Sequence, residues 1–438
     1  MNRSLEGLRG LVGEQVLVTG AQLVAAVGNM AFVIVAARVL PARGFAQVVS
    51  FLALYLVVHM PTGSLSAAST LKPQGAPGLR RRLLLPIALL AAVVAMSAPW
   101  TAPLLELPPG MVILTAITMA VAPFLALERG PLHGWSMNGQ VSMTLVVEPA
   151  VRLAVGIPLA ISFGAVGGAA GVVLAGYAAF AVAAVRRRGD PRGKWLAGDE
   201  KLDSSVGRGA AFWWTAGAFL LLAVFQKQDV LFANRLLQSV DAATFAAVAT
   251  LGGAAVLASV RVPLVLIPRA VQGSRKALGV ALAMAGGLGL GAVAMVAILP
   301  DLIVTTVFPD YEQAVGFAVP YMSAMALLAL SRVLAAYFSA TGHPRAVAGL
   351  VGSAVVLHVV LLVALGSGTG GVVMATLFAN LALVVLMSIR AVTAWRDPTP
   401  ASGRPGGTGQ VMATVSENSG QVGHDDQTGP ESDPKHES

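Results

Sequence analysis

Two arginines stand where hydrocarbon ought to exclude them, Arg129 in ALERGPLHGWSMNG and Arg332 in ALSRVLAAYFSATG. The two stretches align without a gap at an offset of 203, as Ala-Leu-x-Arg, five residues, an aromatic, Ser, two residues and Gly. A guanidinium presents its N–H donors in a planar fork that matches phosphate or carboxylate oxygens. One such fork from each half of the chain is suited to receive a phosphate or pyrophosphate group. Arginines near helix ends also snorkel toward lipid phosphates, and that plainer reading stands beside the first.

Other polar residues interrupt apolar runs in patterns that carry chemistry. EPAVR places Glu148 and Arg152 four residues apart on one helix face, with the acid N-terminal, the favourable order. Either the pair is structural, or Glu148 takes up a proton or cation while Arg152 binds an anion. Gln15, Thr19, Gln22 and Asn29 fall on one stripe of a helix, which either lines a cleft or bonds a neighbouring helix. FQKQDVLFANR puts Gln226, Lys227, Gln228 and Asp229 in succession, although each mid-membrane charge costs ~2.5–3.5 kcal/mol on insertion scales. At 100° per residue they cannot share a face. Gln226 and Asp229 share one and Lys227 and Asn234 another, which marks Lys227 and Asp229 as outer-gate or lobe-contact residues. His59 and His358 read as packed, hydrogen-bonded histidines, and Arg261 as facing the inner mouth.

The elements that must hold these residues follow from composition. Of 438 residues 56% are hydrophobic and 11% charged, and the mean hydropathy is +0.76, values outside the soluble globular range. The apolar runs reach the ~20 residues of a spanning helix and lack the alternation of barrel strands. We read an all-α polytopic membrane protein with spans near 14–37, 45–69, 83–104, 110–134, 139–162, 164–185, 210–232, 243–267, 277–299, 315–338, 345–366 and 370–390. Basic residues concentrate in the segments that follow even-numbered spans, while the opposite loops hold Arg38, Arg43 and Arg235, which predicts both termini inside.

Matches between the halves, at offsets of 203 and of 197 to 200 (ARVLPARGFAQV against NRLLQSVDAATFAAV), predict two six-helix lobes related by a pseudo-two-fold axis along the membrane normal. The expected lobes are residues 1–187 and 210–394, joined by a cytoplasmic linker at 188–209. Residues 395–438 form a polar segment expected to be a disordered acidic cytoplasmic tail, with seven Asp/Glu against two Lys/Arg from Asp397 onward. Prolines 86, 99, 123, 149, 158, 263 and 320 are candidate hinges, and the small-residue run GAVGGAAGVVLAG suits close helix packing.

Several classes fall away. With no cysteine there is no disulfide or thiolate metal site, no Walker sequence supports ATP hydrolysis, and the outer loops are too short to carry an enzyme's acidic metal site. No aromatic-basic interleaving points to nucleic acid. We therefore expect no enzyme and no cofactor, with proton or sodium coupling left open.

The segment QDVLFANRLLQSVDAATFAAVATL, followed by VPLVLIPRAV, resembles the polysaccharide-biosynthesis flippases of the multidrug, oligosaccharidyl-lipid and polysaccharide exporter superfamily. There an Asp near the outer end of the seventh helix precedes a small apolar run, a turn, an aromatic and a Pro. Here those are Asp229, Val230 to Ala233, Phe245, and Pro263 or Pro268. ARVLPARGFAQVVSFL resembles the family's opening hairpin and YFSATGHPR its tenth-to-eleventh turn, while Phe245 stands where Gly-x-Tyr is frequent. The resemblance implies a V-shaped pair of lobes with alternating access. They would move a polyprenyl-diphosphate-linked oligosaccharide from the inner to the outer leaflet of a bacterial plasma membrane for cell-surface polysaccharide assembly.

On that reading Arg129, Arg332, Arg152, Lys227, Gln22, Asn29 and Gln226 bind substrate, and Glu148 and Asp229 couple or gate. The expected partners are the lipid-linked glycan, membrane lipids and, in the cell, glycan-assembly enzymes, with the chain a monomer. The alternatives are a cation-coupled multidrug or metabolite exporter of the same superfamily and a non-transporting scaffold of glycan assembly. A major-facilitator porter is disfavoured because LKPQGAPGLRRR lacks the Asp of that class's second-to-third loop.

Overall fold

The computed structural model describes residues 2–59, 62–71, 76–135, 137–189, 210–259 and 275–396. The linker after Gly189, the tail from Asp397, Arg261, Pro263 and Pro268 lie outside the described residues. Among the described residues every regular element is helical.

Ten of these helical segments are apolar and long enough to cross a membrane. One of them, Asn138–Gly189, runs 52 residues, or ~78 Å at helical rise, more than twice a hydrocarbon core. It is two spans joined at Gly164, whose φ of 62° and ψ of −147° belong to a region that only glycine enters freely. The 21-residue helix Ser239–Ser259 reaches ~31 Å and supplies a further span. The chain is thus a twelve-span, all-α, multi-pass membrane protein.

The second span is described over Ala42–His59 and Thr62–Leu71. Pro86, Pro99, Pro123 and Pro320 sit inside helices that run on through them. Pro149 precedes a π-helical turn, Arg152–Gly156, in the fifth span. A π turn is rare and widens the helix, and here it carries one of the candidate site residues.

Glycine lets the helices behind the site touch by backbone. Gly156 packs directly on Gly171 across the hairpin of the fifth and sixth spans, and Gly167 lies against the Leu159 carbonyl. A Cβ on Gly28 would come within 2.8 Å of Pro149, so the first span is seated as closely on the fifth. Without a hydrophobic force between helices in lipid, such close packing is what holds them together.

The first six spans pack mainly on one another and so do the last six. The lobes meet where the second span lies against the seventh and eighth, and the first against the eighth. Helix bounds repeat at 197 for the first and second spans (Val39 to Leu236, Ala42 to Ser239). For the fourth span, Pro109–Gly134, and the tenth, Val315–Ala340, the offset is 206, one turn more than the gapless match of 203. Gly342 explains the difference: it occupies the turn after the tenth span at φ 91°, whereas its partner in the alignment, Gly139, lies in the first turn of the fifth. By helix ends, Arg129 and Arg332 are therefore a turn out of register.

Two outcomes test this architecture. Gly171→Ala pushes a methyl into the backbone of Gly156 and should cost ~1–3 kcal/mol, seen as a lower melting temperature in detergent. Gly217→Ala, a helix-interior position with open space, should hold or raise it. Because the chain has no cysteine, Leu302→Cys and Arg188→Cys report sidedness directly. With both termini inside, an impermeant thiol reagent labels the first in intact cells and the second only after lysis; the reverse pattern overturns the orientation.

Candidate functional site

We call inner the helix ends that adjoin the basic loops. In the first lobe the fourth span places Arg129 five residues before its inner end, ~8 Å deep. The fifth span runs outward from Asn138, with Glu148 ~15 Å and Arg152 ~21 Å along it. Glu148 is the hub. Its Oε1 accepts a hydrogen bond from Tyr55 Oη at 2.8 Å and one from Arg152 Nη2 at 3.1 Å, and its Oε2 lies 3.6 Å from Arg129 Nη2. The Glu148–Arg152 spacing read from sequence thus forms an ion pair.

Each arginine has a second anchor. Arg129 donates from Nε to Thr144 Oγ1 (3.1 Å) and from Nη2 to the Thr144 carbonyl (2.9 Å), so its fork is held by the fifth span of its own lobe. Arg152 donates to Asn29 Oδ1 at 2.8 Å and faces the rings of Phe32 and Tyr55, 6.0 and 5.4 Å away. Asn29 therefore turns the stripe it shares with half-buried Gln22 toward the fifth span. His59 stacks on Tyr55 with ring centroids 4.1 Å apart.

This cluster retains open valences. The Arg129 and Glu148 side chains keep 17% and 16% of their surface while Arg152 keeps 5%, so one edge of the network is accessible. Arg152 Nε and His59 Nε2 are buried without a hydrogen-bond partner. Buried polar atoms are nearly always satisfied, and unfilled ones point to water or a ligand.

The second lobe has a counterpart built differently. Asp229 is fully buried in the seventh span; its Oδ2 accepts from Tyr321 Oη of the tenth span at 2.7 Å and its Oδ1 from the Val230 amide at 2.8 Å. Phe245 meets the Tyr321 ring edge-on at 5.5 Å, which fixes the phenol. Half-buried Lys227, two residues before Asp229 on the same helix, lies within the electrostatic reach of both Asp229 and Arg332. Arg332 lies ~12 Å from the inner end of the tenth span.

The faces of the polar run separate as helical geometry requires. Gln228 donates to the Val355 carbonyl of the eleventh span at 3.4 Å, a weak bond within its own lobe. Asn234 reaches the other lobe, donating to the carbonyls of Leu105 (2.7 Å) and Glu106 (3.3 Å). Lys227, seven residues before Asn234, shares that face and so is directed toward the first lobe. Half-buried Gln226 lies on the Asp229 face. His358 is packed, with Thr376 Oγ1 at 3.2 Å and the Phe225 ring at 5.3 Å.

Sequence reasoning missed Tyr55, Thr144 and Tyr321. Tyr55 and Tyr321 lie inside apolar spans, and a buried phenol needs a partner for its hydroxyl; that was the available clue. It also missed Glu128, buried at the inner end of the fourth span, which takes Arg187 in a short contact and Arg80 at 3.2 Å. These bonds tie the third, fourth and sixth spans together and leave Glu128 no free edge. Among the described residues no His, Asp and Glu grouping could hold a metal.

No protein-family model and no curated protein matches the chain. Solved structures do. The lipid II flippase MurJ in an inward closed conformation shares 12% identity at a TM-score of 0.66, covering 86% of this chain and 87% of that one. The Vibrio cholerae MATE transporter VcmN shares 14% at 0.60, covering 89% and 98%. A multidrug/oligosaccharidyl-lipid/polysaccharide (MOP) superfamily transporter from Pyrococcus furiosus, described as having a binding pocket of reversed polarity that suggests a different function, shares 14% at 0.56, covering 88% and 97%. Over nearly its whole membrane region, then, the chain is similar in fold to the transporters of the MOP superfamily.

Proposed function

We propose that this protein is an alternating-access flippase that moves a polyprenyl-diphosphate-linked oligosaccharide from the inner to the outer leaflet of a bacterial plasma membrane. One observation carries the reading. In the first lobe two cations act with one carboxylate, Arg129 and Arg152 with Glu148, and in the second Lys227 stands between the charges of Asp229 and Arg332. The first-lobe cluster therefore has one positive charge in excess within the hydrocarbon, where an uncompensated charge is costly. A diphosphate carries roughly two negative charges and meets that excess as it passes between the lobes. Gln22, Gln226 and Asn29 supply the hydrogen bonds that sugar hydroxyls lose on leaving water.

Motion follows from the same arrangement. Arg129 is already held by Thr144, so a diphosphate arriving from the inner side meets an oriented donor and need not order a free side chain. Arg152 lies deeper and Lys227 deeper still, on the face turned to the first lobe. The cations thus form a relay from the inner third toward the outer third of the membrane. A change in which lobe neutralises the headgroup biases which end of the cleft is open.

A second reading, a cation-coupled exporter, is favoured by a different feature. Glu148 and Asp229 each accept a tyrosine hydroxyl, from Tyr55 and Tyr321, and such buried carboxylates also suit proton or cation uptake. On the flippase reading they balance the arginines and couple transport.

Two measurements separate these accounts. Replacing Arg129 and Arg332 together by Ala should reduce flipping of a fluorescent polyprenyl-diphosphate glycan in proteoliposomes at least tenfold with normal membrane insertion. Undiminished flipping rejects their substrate role, and retained export of cationic dyes alone favours the exporter. Glu148→Gln should impair transport while lowering the melting temperature less than Glu128→Gln, because Glu148 keeps an accessible edge and Glu128, at 3% exposure, does not. Equal destabilisation would mark Glu148 as structural.

A further inference from the structure

The outer ends of the lobes are tied by a residue in an unfavourable conformation. Glu106, between the third and fourth spans, has φ 51°, a left-handed value that is unfavourable for a non-glycine residue. Hydrogen bonds hold it there: Asn234 donates to the carbonyls of Leu105 and Glu106, and Gln47 donates to the Glu106 carbonyl at 3.1 Å. The turn aims the carboxylate between two arginines. Arg43 of the first lobe lies 3.2 Å from Oε2, and Arg235 of the second lies 2.7 Å from Oε1. Nearby, Arg38 donates to the Thr306 carbonyl at 3.2 Å, and Phe45 packs on Phe308 and Tyr311 at 6.1 and 5.4 Å.

The lock has three properties of a site. Its two guanidiniums share one carboxylate, which leaves a positive charge in excess. Arg43 and Arg235 are 66% and 51% exposed, so the bridges are solvated and weak. A cavity of about 260 Å³ opens beside them, lined by Arg43, Glu106, Asn234, Arg235, Gln238 and Ser239. A multivalent anion there would compete with the single carboxylate for these guanidiniums.

We propose that this cavity binds a phosphate or diphosphate group, and that the anion displaces Glu106 from Arg43 and Arg235 and so unlocks the outer ends of the lobes. The inference rests on the reading of the substrate as an anionic lipid, and it adds that the arriving headgroup opens its own exit. The same chemistry arises from a lipid headgroup or from free phosphate in the medium, and the test keeps the two apart.

Ala46 and Ala242 line the cavity and are almost fully buried, and the chain has no native cysteine. Ala46→Cys and Ala242→Cys variants of the full chain in nanodiscs are labelled with a soluble maleimide, with or without millimolar inorganic pyrophosphate or farnesyl diphosphate, at ionic strength matched by sodium chloride. We expect several-fold faster labelling with a diphosphate. Response to both compounds supports the site with either source, and response to farnesyl diphosphate alone supports delivery from the membrane. Arg43→Gln with Arg235→Gln should label fast and ignore diphosphate, and should lose the ³¹P line broadening that the unaltered lock gives with pyrophosphate. Labelling unchanged by either diphosphate, or accelerated equally by chloride, overturns the proposal. That failure is distinct from failure of the flippase reading: labelling reads only the lock, whereas transport through the Arg129 and Arg332 variants reads only the substrate.

Discussion

A guanidinium cannot shed its charge, so a membrane protein that buries one must surround it with acceptors. Glu148 is the acceptor on which the first lobe depends. It draws together Arg129 of the fourth span, Arg152 of its own fifth span and Tyr55 of the second, while Arg152 reaches Asn29 of the first. Four spans are oriented by one carboxylate. The backbone contacts at Gly28, Gly156 and Gly171 bring the first and sixth spans close against the fifth, and the π turn after Pro149 carries Arg152. The glycines serve the electrostatics, because without them the polar groups could not come within hydrogen-bonding distance.

The two lobes solve the same problem with different parts. In the first, the acid lies between its bases and is hydrogen-bonded to both the ion pair and a phenol. In the second, Asp229 is enclosed by Tyr321, Phe245 and its own helix. A carboxylate with an accessible edge can exchange its arginine partner for another anion, whereas an enclosed one keeps its place. On the flippase reading, two identical lobes would hold a headgroup equally, and equal affinity for two states shifts no equilibrium.

Much of this was legible in the sequence. Runs of apolar residues near twenty long gave the spans, the Gly-rich stretch from Gly164 gave the closest helix pair, and EPAVR gave the ion pair, because each rests on local spacing. What was not legible depended on register between distant helices. The gapless match of ALERGPLHGWSMNG to ALSRVLAAYFSATG was one turn out, since a glycine needed for a positive φ in one half was aligned with a glycine inside a helix in the other. Tyr55 and Tyr321 sit more than ninety residues from the acids they bind, at separations of 93 and 92, which no local pattern encodes. Glu106 carries no local signal, because its importance comes from a backbone conformation and from two arginines 63 and 129 residues away.

The placement of strength and weakness in the molecule follows from these distances. Contacts inside a lobe are dry and close: glycine on glycine, buried guanidinium on carboxylate, phenol on carboxylate. At the outer ends the Glu106 bridges that join the lobes are solvated, and they hold a turn that is unfavourable on its own. Solvated ion pairs contribute little and are screened by salt, while buried ones resist disruption because breaking one strands a charge. A protein arranged this way yields first between its lobes and last within them. On the reading proposed above, rigid-body movement of the lobes is the response to a ligand that alters the charge between them, because the bonds of Glu148 to Arg129, Arg152 and Tyr55, and of Asp229 to Tyr321, each lie within one lobe.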